Sequence, residues 1–221
     1  MPTILLACQT MQAEVELARQ QAGTSYPVFY FASGLHNTPD ELRRQLQEQI
    51  NGLSSTDDVI LLAFGCCGNG LTGLRAAQAT LVIPRIDDCI TLLLGSTKAR
   101  KSIPNEISTY FLTKGWLDPG GNIMWSYTAW VEHYGEQKAL RLVKKLLHHY
   151  TRFLIIDTGS YDIGEMVNSV QKFAARLNMQ YGVVPGSLRL LQKLLTGPWD
   201  EEFIVLNPGQ ETRLQDFYPA L

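Results

Sequence analysis

This sequence has no basic tract. Its 19 Lys and Arg stand against 21 Asp and Glu, for a formal charge of −2, and neither sign gathers into a run. A nucleic-acid partner would leave a basic footprint, so none is expected. Long apolar runs are missing too: no stretch approaches the roughly 20 residues that span a bilayer. The opening "MPTILLACQT" lacks the basic start and small-residue cleavage site of a signal peptide, so the expected location is cytoplasmic and away from membranes. The run "GCCGNG" reads G-x-x-G-x-G, neither a P-loop nor the Rossmann pattern, and there is no C-x-x-C, so ATP, NAD and a dense zinc motif are not expected. Repeats, low-complexity tracts and linkers that would mark a firm domain boundary are equally absent. Cysteine is sparse, and all four (Cys8, Cys66, Cys67 and Cys89) fall in the first 89 residues. Without an export signal, reduced thiols, ligands or reactive groups are expected there rather than disulfides.

What is present is a rhythm. Hydrophobic residues make up 45% of the 221 positions, ample for a buried core. The runs "TILLA" (3–7), "VFYFA" (28–32), "VILLAF" (59–64), "TLVIP" (80–84) and "FLIID" (153–157) are short, apolar and bounded by turn formers, as strands are. "QYGVV" (180–184) and "FIVL" (203–206) are weaker candidates. Thr38-Pro39-Asp40-Glu41 opens a helix with Leu42, Leu46 and Ile50 on one face, and further helices are expected at 136–149 and 163–177. Strand–helix alternation of this kind predicts an α/β fold, a mostly parallel, Rossmann-like sheet with helices on both faces. The stretch 96–135 breaks the pattern with three of the four tryptophans and an Asp118-Pro119-Gly120-Gly121 turn. The expected organisation is one α/β domain over 1–221, or two lobes, 1–95 and 150–221, joined by an aromatic-rich insertion at 96–149. Its segment 110–130 is expected to cover the site, with Trp116 or Trp125 facing the ligand.

Ligands of parallel sheets bind beyond the carboxyl ends of the strands, so the residues that follow each strand carry the information. Cys8 follows the first run, His36 the second, Cys66 and Cys67 the third, and Arg85, Asp87, Asp88 and Cys89 the fourth; "FLIID" ends on Asp157. Cysteine and histidine from separate loops are zinc ligands, which makes Cys8, His36, Cys67 and Cys89 the expected metal set. Buried cysteine also serves as a small apolar residue, and this alternative stays open for each thiol. Neighbours in an extended segment point opposite ways, so one of Cys66 and Cys67 should face the site and the other the core. Cys67 can also be read as a reactive thiolate. Gly68 and Gly70 suggest close backbone approach to a bulky or anionic group, with a plain turn as the alternative. Arg85 can bind an anion or pair with Asp87 or Asp88, and Asp157 can bind a ligand or cap the next helix.

"GLHNTPDELR", "FGCCGNGL", "IPRIDDCITLLLGS", "TYFLTKGW", "DTGSYD" and "GSLRLLQKLLTGPWD" occur in an order that resembles the uncharacterised family catalogued as domain of unknown function 1638. Members of that family are often encoded near corrinoid-dependent methyltransferases, and the resemblance therefore implies methyl transfer or corrinoid handling. It points to Cys8, His36, Cys67, Arg85, Asp88, Cys89, Trp116 and Asp157. Asp87 stands where the pattern usually has histidine, and Cys66 where it has an apolar residue; aspartate can also bind zinc. The leading expectation is a zinc-thiolate protein acting in methyl transfer or corrinoid-linked metabolism. Cys67, Asp88 and Arg85 would be catalytic, and Gly68, Gly70, Trp116 and Asp157 would bind the cofactor. A small-molecule substrate or a corrinoid protein is the expected partner. The alternatives are a non-catalytic metal- or corrinoid-binding accessory protein and a metal-independent cysteine enzyme such as a racemase. That last chemistry wants a thiol from each half of the chain, and no cysteine follows Cys89.

Overall fold

Every residue of Val59–Ala63 is buried, and because strand neighbours point to opposite faces, the sheet around it is covered on both sides. The computed structural model describes residues 2–53, 55, 58–117 and 122–218. In chain order its elements are β1 (Thr3–Cys8), α1 (Gln12–Ala22), β2 (Val28–Phe31), α2 (Pro39–Leu53), β3 (Val59–Ala63), β4 (Thr80–Pro84), α3 (Cys89–Leu94), α4 (Thr97–Lys101), β5 (Thr109–Leu112), α5 (Lys114–Leu117), α6 (Ile123–Tyr134), α7 (Glu136–Leu146), β6 (Arg152–Asp157), α8 (Gly164–Leu177), β7 (Gln180–Pro185), α9 (Arg189–Thr196), β8 (Phe203–Leu206) and α10 (Leu214–Phe217). The fold is mixed α/β with mostly parallel strands. All seven apolar runs form strands.

The chain divides into two compact units, Met1–Ala99 with Ser187–Leu221, and Arg100–Gly186. The first unit holds a five-stranded sheet ordered β2-β1-β3-β4-β8. Its β1–β2, β1–β3 and β3–β4 pairs are parallel, and β8 closes the β4 edge in the antiparallel sense. Helix α2 begins at Pro39 and buries Leu42, Leu46 and Ile50, as the spacing predicts. Helix α9 buries Leu190, Leu191, Leu194 and Leu195 and packs on β3, β4 and α1. The second unit has its own parallel sheet, β5-β6-β7, and its own core, which includes Phe153, Ile155, Val143, Val170 and Phe173.

The structure corrects the domain organisation. Residues 96–149 are not an insertion between two lobes, because β5 lies within them and pairs along its length with β6, from Thr109 opposite Arg152 to Leu112 opposite Ile155. Nor is 150–221 one lobe: 150–186 belongs to the second unit, while β8 returns to pair with β4 of the first. The Asp118–Gly121 turn lies outside the described residues.

Candidate functional site

The thiols gather at the carboxyl edge of the first unit's parallel strands. Cys8 ends β1; its thiol is 3.0 Å from Thr10 Oγ1 and close enough to Cys67 and Cys89 for their charges to interact. Burial pushes the Cys8 thiol above its ordinary value. Cys67 follows β3, Cys89 opens α3 after β4, and their sulfurs stand 3.5 Å apart. The Cys89 thiol donates to Cys67, and this hydrogen bond is the main cause of the lowered Cys67 pKa; the same bond and its burial push Cys89 well up. Cys67 is therefore the more acidic thiol of the pair. Its neighbour Cys66 is fully buried, with its sulfur 4.0 Å from Thr72 Oγ1, and burial raises its pKa. Cys66 thus turns to the core and Cys67 to Cys89, although β3 has already ended at Ala63 and strand alternation does not act here.

Local sequence explains the approach. The Cys66 N–H donates to Ile86 O and the Cys67 N–H to Asp87 O, so the segments beyond β3 and β4 stay paired after the strands end. A Cβ on Gly65 would fall 2.2 Å from the Asp88 carbonyl carbon, so only glycine lets the two backbones come this close. Cys67 then turns into the left-handed region at φ 39°, followed by Gly68 and Asn69, both also at positive φ. For a cysteine this conformation stores strain on the order of 1 kcal/mol, held by the loop around it. Gly68 and Gly70 face α2: added Cβ atoms would lie 3.1 Å from Pro39 Cγ and 3.2 Å from Leu42 Cδ2. In this structure their close approach is to the protein itself.

Asp88 caps α3, accepting from the Thr91 N–H at 3.0 Å, and Thr91 Oγ1 donates to Asp87 Oδ1 at 2.7 Å. The two carboxylates thereby fix the first turn that presents Cys89. Three donors of Arg85 go to backbone carbonyls: Nε to Glu201, one terminal nitrogen to Asp216 and the other to Phe203. The anion-binding role expected of Arg85 is thus replaced by a staple between the end of β4 and the C-terminal segments. His36 sits half-buried on a short turn, Ser33–Asn37, ahead of α2. Among the described residues, no three His, Cys, Asp or Glu side chains are disposed to hold a metal as they stand.

Trp116 and Asp157 belong to the second unit. Asp157 accepts from the Gly159 N–H at 3.0 Å, a local turn rather than a cap, since α8 starts only at Gly164. Trp125, on α6, is half-exposed and lines a cavity of about 620 Å³ with Lys114, Leu117, Met124, Asp162 and Glu165. Trp116 is not part of that lining.

The chain matches over residues 30–195 a family described as Protein of unknown function (DUF1638). It belongs to this family. No curated protein and no solved structure matches the chain. The DUF1638 match takes in Cys67, Arg85, Asp88 and Cys89, while Cys8 precedes it. One residue beyond the match was not anticipated. The Tyr218 phenol interacts electrostatically with Cys66, Asp87, Asp88 and Cys67, and burial together with those charges raises its pKa. No local signal could reveal it, since 129 positions separate it from Cys89 in the sequence.

Proposed function

We propose that the first unit carries a cysteine-thiolate centre that takes a thiophilic cation, zinc foremost, and acts in methyl transfer in corrinoid-linked metabolism. The observation that carries this reading is the 3.5 Å between the Cys67 and Cys89 sulfurs. Two thiolates on one tetrahedral zinc, with bonds of about 2.3 Å, stand about 3.8 Å apart, so the pair already has nearly the edge length required. Cys8 would supply a third donor, and His36 or Asp87 a fourth. A zinc ion bound there would keep its thiols deprotonated near neutral pH. The Cys67 thiolate is the nucleophile: its sulfur forms a bond to the methyl carbon while the donor leaves with the electron pair of the broken bond. The methyl donor, a small molecule or a corrinoid protein, comes from the family resemblance and the chemistry a thiolate can perform. Asp87, Asp88 and Thr91 hold the Cys89 turn in place.

Elemental analysis of protein purified without oxygen or chelators tests this reading. About one metal ion per chain is expected, lost in Cys67→Ser and Cys89→Ser and retained in Cys66→Ser. A second reading draws on the thiol-to-thiolate hydrogen bond itself: Cys67 and Cys89 act without metal, one as nucleophile and the other as its proton donor. Metal-free wild type in which Cys67 alone alkylates rapidly at neutral pH would favour that reading over the first. Tight stoichiometric binding of cobalamin or metal without any turnover would instead indicate an accessory protein.

A further inference from the structure

The second unit has strand ends of its own, and the residues that follow them gather around a cavity. Lys114 stands two positions beyond the end of β5, and Asp162 five beyond the end of β6. Tyr161 ties these two segments together: its hydroxyl accepts from the Lys114 N–H at 2.9 Å, and its ring centre lies 5.6 Å from the Lys114 ammonium. Asp162 accepts from the Gly164 N–H at 2.8 Å and so opens α8, whose first turn carries Glu165. An apolar wall comes from α6. Asn122 caps this helix by accepting from the Trp125 N–H at 2.9 Å, which fixes the first turn that carries Met124 and Trp125. With Leu117, these side chains line about 620 Å³, a volume in the range of small-molecule sites, and the place is the one where parallel sheets bind ligands.

Two features of the lining set the ligand. Its charges are unspent: among the described residues none of Lys114, Asp162 and Glu165 forms an ion pair, although all three face one cavity. Its aromatic surface is open as well, for Trp125 is 50% exposed. We infer that this cavity binds a small zwitterion with an apolar side chain, of the amino-acid class. The ligand's ammonium goes to Asp162 and Glu165, its carboxylate to Lys114, and its side chain to Trp125, Met124 and Leu117. A simple anion would meet two carboxylates, and a simple cation would lie beside the like charge of Lys114. Only a ligand carrying both signs satisfies all three groups. The inference takes nothing from the thiol reading, since no residue of this cavity is a ligand or nucleophile there.

Isothermal titration calorimetry of the full chain with three probes of one carbon skeleton tests this. L-norleucine carries both charges, n-pentylamine the ammonium alone and hexanoate the carboxylate alone. L-norleucine is expected to bind about ten-fold more tightly than either, because it makes one more charge-assisted contact. Glu165→Gln should weaken L-norleucine and n-pentylamine about five-fold and leave hexanoate no weaker. Lys114→Met should weaken L-norleucine and hexanoate about five-fold and leave n-pentylamine no weaker. Both side chains are exposed, so each variant should keep the wild-type melting temperature. No heat from L-norleucine up to about 10 mM overturns the inference. Equal affinity for L-norleucine and either single-charge probe also overturns it, since one of the two charges would then be idle. L-norleucine binding that is unchanged in either variant removes that charge from the site and overturns it too. In each of these cases the thiol reading stands.

Discussion

Cys66 and Cys67 are neighbours with opposite circumstances, and the difference lies in where each sulfur points. Cys66 is sealed in the core and its thiol is held protonated by burial, whereas Cys67 receives a hydrogen bond from Cys89. In metal-free protein the rate of Cys67 alkylation should therefore reach half its maximum below pH 9, the ordinary value of a thiol in this setting. The lowered value exists because Cys89 stabilises the charged form, so Cys89→Ala should move the midpoint upward. A pH–rate profile of both proteins measures this; a midpoint that does not move would remove Cys89 as the donor. Residue type and spacing made these thiols legible, since each follows an apolar run that had to be a strand. The role of Arg85 was not legible. Its partners are carbonyl oxygens of Glu201, Phe203 and Asp216, more than a hundred positions away, and backbone carbonyls carry no sequence signature.

At the scale of elements, the thiol pair depends on how closely two loops approach. Gly65→Ala would drive a methyl group into the Asp88 backbone, which cannot yield as a flexible side chain can. We expect a loss of more than about 2 kcal/mol in denaturant unfolding, because a clash of this kind moves backbone. The variant should also lose the depressed Cys67 midpoint, since the Cys67–Asp87 hydrogen bond sits on the same strut. Wild-type stability would show that the loops have slack. A second strut joins α9 to β8: Glu202 takes a two-pronged bond from Arg189, at 2.5 and 2.8 Å, and another from Lys193 at 2.7 Å. These partners, Arg189 foremost, hold the Glu202 carboxyl down at about 2, against 4.5 for the free group. Its stabilising contribution is thus complete above roughly pH 4.5 and is lost as the pH falls towards 2. Glu202→Gln should lower stability by about 1 kcal/mol at neutral pH, as expected of a partly exposed network, and flatten the acid limb of the stability curve in that window. Strands were readable at this scale because parallel strands buried on both faces are uniformly apolar. Helix α6 was not, for "IMWSYTAWVEHY" is apolar around most of its circumference and shows no 3.6-residue stripe. The four-residue β5 is shorter than the runs from which strands are usually inferred.

For the whole molecule, the decisive fact is that the first unit is made of two separated pieces of chain whose ends meet. The Ser187 N–H donates to Leu93 O at 2.8 Å, and a Cβ on Gly95 would lie 2.7 Å from that of Ser187. Gly95 O in turn accepts from Arg189 at 2.7 Å. The chain leaves the unit and re-enters it at one point, the arrangement in which one domain is inserted into another. Each piece is needed: β8 closes the β4 edge, and α9 covers β3, β4 and α1. A chain in which residues 96–186 are replaced by about three glycines, enough to bridge the short gap at ~3.8 Å per residue, should therefore fold on its own. It should unfold cooperatively in denaturant and keep a Cys67 that alkylates with the wild-type pH midpoint, because Cys8, Cys67, Cys89, Arg85 and Tyr218 all lie in the retained pieces. Retained reactivity with normal unfolding would assign the thiol centre to the first unit alone. A folded chain with an ordinary Cys67 midpoint would sink that assignment.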